Sequence, residues 1–190
     1  MRKILLILGL IPSCVWAGFN VTGGPDYSRD SGNTYICANP AGTSVTTQAG
    51  LSGTTPALTL VNPSNSGKNL TILDIGIDVT AAPAAAAGFM VAYSSTSAIT
   101  VTSSGTVTGV LLKNPTPNSV AGCWRVATLP FTPYAVRYLG GTTGAAAIGG
   151  VVLTDNTNGK IVVPPGNTIS IQATSAAAII AHITEREDPL

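Results

Sequence analysis

Between Leu73 and Val79 the chain alternates apolar and polar positions: Leu73, Ile75, Ile77 and Val79 take turns with Asp74, Gly76 and Asp78. A period of two buries one face of a β-strand and wets the other. Two longer stretches repeat the theme. Residues 57–79 read ALTLVNPSNSGKNLTILDIGIDV, and residues 160–186 read KIVVPPGNTISIQATSAAAIIAHITER. Each is an apolar strand, a break of Pro, Gly, Asn and Ser, and a further strand. Strands in succession, with short breaks and no helical stripe, predict an all-β, antiparallel β-sandwich.

The same pattern predicts strands over 34–38, 57–61, 69–79, 88–93, 105–113, 119–128, 134–139, 150–154, 160–163, 168–174 and 177–186. Residues 41–55 are rich in Thr and Gly and weakly patterned, a candidate strand with irregular flanks. Residues 81–87 are alanine-rich, but Pro83 limits them to a loop or one helical turn. Asn158-Gly159 supplies the positive φ that a tight hairpin between 150–154 and 160–163 wants. Pro164-Pro165-Gly166 cannot continue a central strand.

The first 17 residues, MRKILLILGLIPSCVWA, have a different character. Arg2 and Lys3 precede an apolar run over 4–11, and Val15-Trp16-Ala17 precedes Gly18 as a signal-peptidase site requires, which places cleavage between Ala17 and Gly18. The run is shorter than the roughly 20 residues of a bilayer-spanning helix. The other reading is an anchoring arm, kept and buried against a partner. Pro12 argues against a lipidated Cys14. Residues 18–33 read as a polar, Gly-rich linker and 34–190 as the sandwich domain.

Composition narrows the function. The chain is 45% hydrophobic and 9% charged, with a formal net charge of +1; ordinary soluble domains are about 25% charged. Such a chain has no electrostatic footprint for nucleic acid. Its polar faces are filled by Thr, Ser and Asn, and little charge repulsion opposes association between copies.

Candidate chemistry is sparse. Cys37 and Cys123 either pair as a disulfide or sit as free, buried thiols, and their spacing leaves both open. Ser66-Gly67-Lys68 fails as a phosphate loop because Asn62 and Asn69 stand where Gly and Ser/Thr are needed, so Lys68 reads as a solvated turn residue. Asp74 and Asp78, about 13 Å apart on one strand face, read as two wet-face carboxylates. Asp26, Asp30 and Asn33 lack the spacing of a calcium loop. His182, opposite in face to Ile179 and Ile183, reads as an edge or interface histidine without a nucleophile to serve. One His and scattered Cys give no metal-ligand cluster. Tyr27, Tyr35, Tyr93, Tyr134 and Tyr138, with Trp124, could stack on a sugar, but at 5% aromatic content core or interface use is the expectation. The Asn20 and Asn69 sequons matter only in a glycosylating host. The expectation is a chain with no catalytic, metal-binding or cofactor-binding residues.

Val61-Asn62-Pro63, followed by Ser66-Gly67-Lys68-Asn69-Leu70 and an alternating strand, resembles a pattern in small structural proteins of tailed bacteriophages. So does Ile161-Val162-Val163-Pro164-Pro165-Gly166, followed by two strands, the last ending in Thr184-Glu185-Arg186-Glu187. The resemblance covers the chain from Ala57 onward and rests on turn motifs. It implies a jelly-roll-like sandwich acting as a head-decoration, head-fibre or tail-associated component. Such a component is a non-enzymatic virion protein that self-associates and packs on other virion proteins, without cofactor, nucleic acid or small-molecule substrate. The alternative expectation is an exported β-sandwich binding module or surface-fibre subunit that meets a host-surface glycan.

Overall fold

The structure, a computed structural model, describes residues 33–39, 44–47, 50, 51, 53, 56–95, 100–104, 106–109, 119–144 and 151–190. The signal-like segment, the cleavage position at Ala17 and Gly18, and nearly all of the 18–33 linker lie outside them. The described residues form strands β1 (Thr34–Ala38), β2 (Val45–Thr46), β3 (Leu58–Asn62), β4 (Lys68–Ala81), β5 (Ala87–Ser95), β6 (Thr100–Ser104), β7 (Thr106–Gly109), β8 (Gly122–Thr128), β9 (Tyr134–Thr142), β10 (Val151–Val163), β11 (Asn167–Ala173) and β12 (Ala178–Pro189). No helix occurs among the described residues.

Two antiparallel sheets pack face to face. Sheet 1 runs β10-β4-β12-β1-β7, with β2 also on β12; sheet 2 runs β6-β8-β3-β11-β5-β9. Setting aside β2, β6, β7 and β8 leaves eight strands whose pairing is nested. In chain order the first pairs with the last (β1 with β12), the second with the seventh (β3 with β11), the third with the sixth (β4 with β10), and the fourth with the fifth (β5 with β9). That nesting, wrapped so that sheet 1 reads β1-β12-β4-β10 and sheet 2 reads β3-β11-β5-β9, is a jelly roll. Strands β6, β7 and β8, between β5 and β9 in the chain, are an insertion at the tip of the nested ribbon. Within it, β8 extends sheet 2 beyond β3 and β7 extends sheet 1 beyond β1.

Alternation explains the core. Ile75, Ile77, Val79, Ile179, Ala181 and Ile183 point inward from sheet 1 and meet Leu58, Leu60, Phe89, Val91, Ile169 and Ile171 from sheet 2. The two turn motifs also meet. Buried Asn62 donates from Nδ2 to the carbonyls of Lys68 and Val163, both at 2.8 Å, and its backbone carbonyl accepts the Gly166 N–H at 2.9 Å. One side chain thus satisfies backbone that both breaks would leave unpaired.

Three expectations are corrected. The stretch from Val151 to Val163 is one strand, with no hairpin at Asn158-Gly159. Both halves pair antiparallel to β4, Thr154 opposite Gly76 and Val162 opposite Thr71, so the chain never reverses. The positive φ of Asn158 (50°) and Gly159 (72°) forms an in-strand bulge instead. Opposite it, Leu73 is an extra residue of β4, since Asp74 pairs with Thr184 and Ile72 with Glu185. The buried hydroxyl of Thr157 donates to the Ile72 carbonyl there. Leu73 is therefore buried but leaves the phase of Ile75, Ile77 and Val79. Last, β12 is an interior strand between β4 and β1, so His182 does not lie on a sheet edge.

Candidate functional site

The sandwich is closed on one side and open on the other. On the closed side the insertion lays β7 along β1 and β8 along β3. A disulfide joins Cys37 of β1 to Cys123 of β8, with Cα atoms 5.5 Å apart, and so ties sheet 1 to sheet 2. The terminal strands there, β7 and β6, have 4 and 5 residues. Short edges offer little template to another chain.

The open side is built from β10, of 13 residues, and β9, of 9 residues, each at the end of its sheet. The guanidinium of Arg137 bonds both oxygens of Asp155, so one ion pair spans the two edges; that contact raises the Arg137 pKa. The Leu153 side chain reaches Gly140, where a β-carbon would stand 3.1 Å from it. Among the described residues the large apolar side chains left exposed are Phe131, Tyr134, Val136, Tyr138, Val152, Val162 and Leu190. Tyr134, Val136 and Tyr138 belong to β9, Val152 and Val162 to β10, and the Phe131 ring lies 5.8 Å from that of Tyr134. Exposed apolar surface is thus concentrated on the two long edges.

The five described members of the aromatic set, Tyr35, Tyr93, Trp124, Tyr134 and Tyr138, do not assemble into one platform. Val136 is an extra residue in the β5–β9 pairing, so Tyr138 stands opposite Met90 while Tyr134 stands opposite Tyr93. Phe89 and Val91 point into the core, which puts Tyr138 on the outer face and Tyr134 on the other. The Tyr138 ring covers Gly88. Tyr35 is buried, Tyr93 donates to Asn167 Oδ1 at 2.9 Å, and Trp124 lies against Gly122. Tyr27 lies outside the described residues, as do Asp26, Asp30, Asn20 and Cys14.

On the outer face of sheet 1, Asp74 bonds His182 Nε2 at 3.1 Å and accepts the Thr184 hydroxyl at 2.9 Å. The His182 contact, then the Thr184 bond, hold the Asp74 carboxyl below the usual range against the opposing effect of burial. Asp78 shares that face without joining the group. An adjoining groove of about 230 Å³ touches Ala38, Gly76, Asp78, Val152, Thr154 and His182. It is smaller than the roughly 300–1,000 Å³ of small-molecule sites. Among the described residues no three His, Cys, Asp or Glu stand close enough together to hold a metal ion.

The densest cluster of ionisable groups among the described residues lies at the end of β12. Glu185 and Glu187 are fully buried, in phase with Ile179, Ala181 and Ile183. Lys68 ends the strand beside them, with Nζ 2.8 Å from Glu187 Oε2; it is no free turn residue, and the Glu187 bond raises its pKa. Ser119 Oγ lies 3.2 Å from Glu185 Oε1 and 2.7 Å from Glu187 Oε1, and the Val120 N–H donates to Glu187 Oε1 at 2.6 Å. Tyr35 stands opposite Glu185 in register, and the carbonyl of Asn33 accepts the Glu187 N–H. Burial, then the charge of Glu187, push the Glu185 carboxyl up to about 8. Two buried acids beside one part-exposed cation favour retention of a proton on one acid. The visible signal is the odd-number spacing 179, 181, 183, 185, 187, which sets both acids on the core face.

No protein-family model matches the chain, and no curated protein or solved structure matches it.

Proposed function

We propose that this protein is a non-enzymatic structural subunit of a phage particle, and that it associates with further copies of itself along the β9/β10 side while packing on other virion proteins. The observation that carries the reading is the contrast between the two sides of the sandwich. One is closed by an insertion, a disulfide and short strands. The other leaves one edge of each of two long strands without a partner strand among the described residues, with Tyr134, Val136, Tyr138, Val152 and Val162 in solvent.

An unpaired edge presents a row of N–H and C=O groups, and a second strand laid along it satisfies them while covering the apolar side chains. The occupant is a second copy of the chain. With a net charge of +1 and 9% charged residues, repulsion between copies is weak. Closed homo-oligomers reuse one self-complementary patch in this way. Jelly rolls occur in capsid and lectin domains alike, and a fold does not by itself decide a function, so the edge carries more weight than the topology.

Quantitative mass spectrometry of purified particles tests the assignment. The protein at a fixed copy number relative to the major shell protein supports it. Its absence from intact particles, or its presence only in the surrounding medium, contradicts it.

A further inference from the structure

We propose that Glu185, Glu187, Ser119 and Lys68 form a proton-dependent clasp that fastens the returning end of the β5–β9 insertion to β12, closed while the acid pair holds one proton and open once that proton is lost.

A serine hydroxyl has one proton to give and two lone pairs. Ser119 Oγ already accepts the Ala121 N–H at 3.0 Å and lies within bonding distance of a carboxylate oxygen on each of two glutamates. It can donate to only one. All the contacts are satisfied together when Glu185 carries a proton on Oε1, gives it to Ser119, and Ser119 donates to Glu187. Glu187 is then the anion that Lys68 and the Val120 N–H hold.

Remove the proton and the chain of donors fails. Glu185 Oε1 loses its bond, Glu185 Oε2 already has no partner, and two buried carboxylates share one ammonium. Among the described residues, the groups around Glu185 offer no second cation. Its own strand contributes Glu187, β4 contributes Lys68, β1 contributes Tyr35, and the segment before β8 contributes Ser119. Arg186 and Asp188, which alternate with the acids along β12, bond each other. The favourable release is for 119–121 to move off and admit water. The Cys37–Cys123 disulfide begins two residues beyond Ala121 and limits the movement on that side.

The direction with pH follows from the raised Glu185 value. The closed form binds the proton more tightly than the open form, so closure is favoured at low pH and lost as pH rises through about 8.

Hydrogen exchange at the Val120 and Ala121 amides, read by NMR with the disulfide intact and expressed as protection factors, tests this. The unaltered protein should lose protection about tenfold per pH unit between about pH 5 and pH 8 and level off above, as one-proton linkage requires. Glu185→Gln keeps a donor toward Ser119 and cannot ionise, so its profile should be flat. A flat profile in the unaltered protein, or the same slope in both, overturns the clasp. If Glu185→Gln does not fold, carbon-13 titration of Glu185 in the unaltered chain decides. A midpoint near 8 supports the clasp, and one in the ordinary range of about 4 overturns it.

Discussion

The imidazole of His182 lies over Gly76, its register partner on β4, so closely that a β-carbon at residue 76 would stand 2.1 Å from Cε1. Glycine here makes room for a cross-strand side chain. Gly76→Ala should push the ring into solvent and break its bond to Asp74, at a cost of about 1 kcal/mol. The Asp74 carboxyl, held low chiefly by His182, should titrate at higher pH in the variant. A carboxyl depressed by folding stabilises above its ordinary range and loses that contribution as pH falls. The variant should therefore show a weaker acid dependence of stability. An unchanged Asp74 midpoint by NMR contradicts the contact.

The disulfide joins positions 86 residues apart and crosses between sheets. Replacing both cysteines by alanine should lower unfolding stability by about 2–5 kcal/mol. Urea unfolding of the variant beside the oxidised parent measures this, and a midpoint that does not move contradicts it.

Lys68 supplies the cation of the buried acid pair while keeping a third of its side chain in water. Lys68→Met should cost about 1–3 kcal/mol, because it takes a partner from the buried Glu187 carboxylate. Adding Glu187→Gln should recover part of that loss, since the buried charge is then gone. A double-mutant cycle with no coupling between the two positions contradicts the pairing.

Gly159 sits at φ 72° inside β10, and a β-carbon there would meet Thr71 Cγ2 at 3.0 Å. Gly159→Ala should cost about 1–2 kcal/mol, the ordinary penalty for a left-handed L-residue. Asn158→Gly should be nearly neutral. Equal tolerance of both substitutions in thermal unfolding contradicts the bulge.

Sheet-forming segments were legible wherever one face is apolar. The alternation through Ile75, Ile77 and Val79 marked β4, and the prolines at 63, 83 and 164 marked the ends of β3, β4 and β10. β6 escaped notice because TVTSS has no apolar alternation to read. Asn158-Gly159 misled because the same dipeptide serves a hairpin and an in-strand bulge; only the pairing of both flanks to β4 separates them. His182 looked peripheral because its strand is last in sequence, yet a nested ribbon folds its last strand beside its first and into the sheet interior. The open side was not legible at all. Which strands end a sheet depends on long-range pairing, and the exposure of Tyr138 and Val152 follows from that.

Sedimentation of the purified chain over a wide concentration range tests most directly whether the β9/β10 side is where copies meet. Assembly there predicts a mass that is a multiple of 19.1 kDa, falling to a single 19.1 kDa species when Val136→Lys and Val152→Lys are combined. A 19.1 kDa species at every concentration in the unaltered protein, or an assembly indifferent to those two lysines, contradicts it.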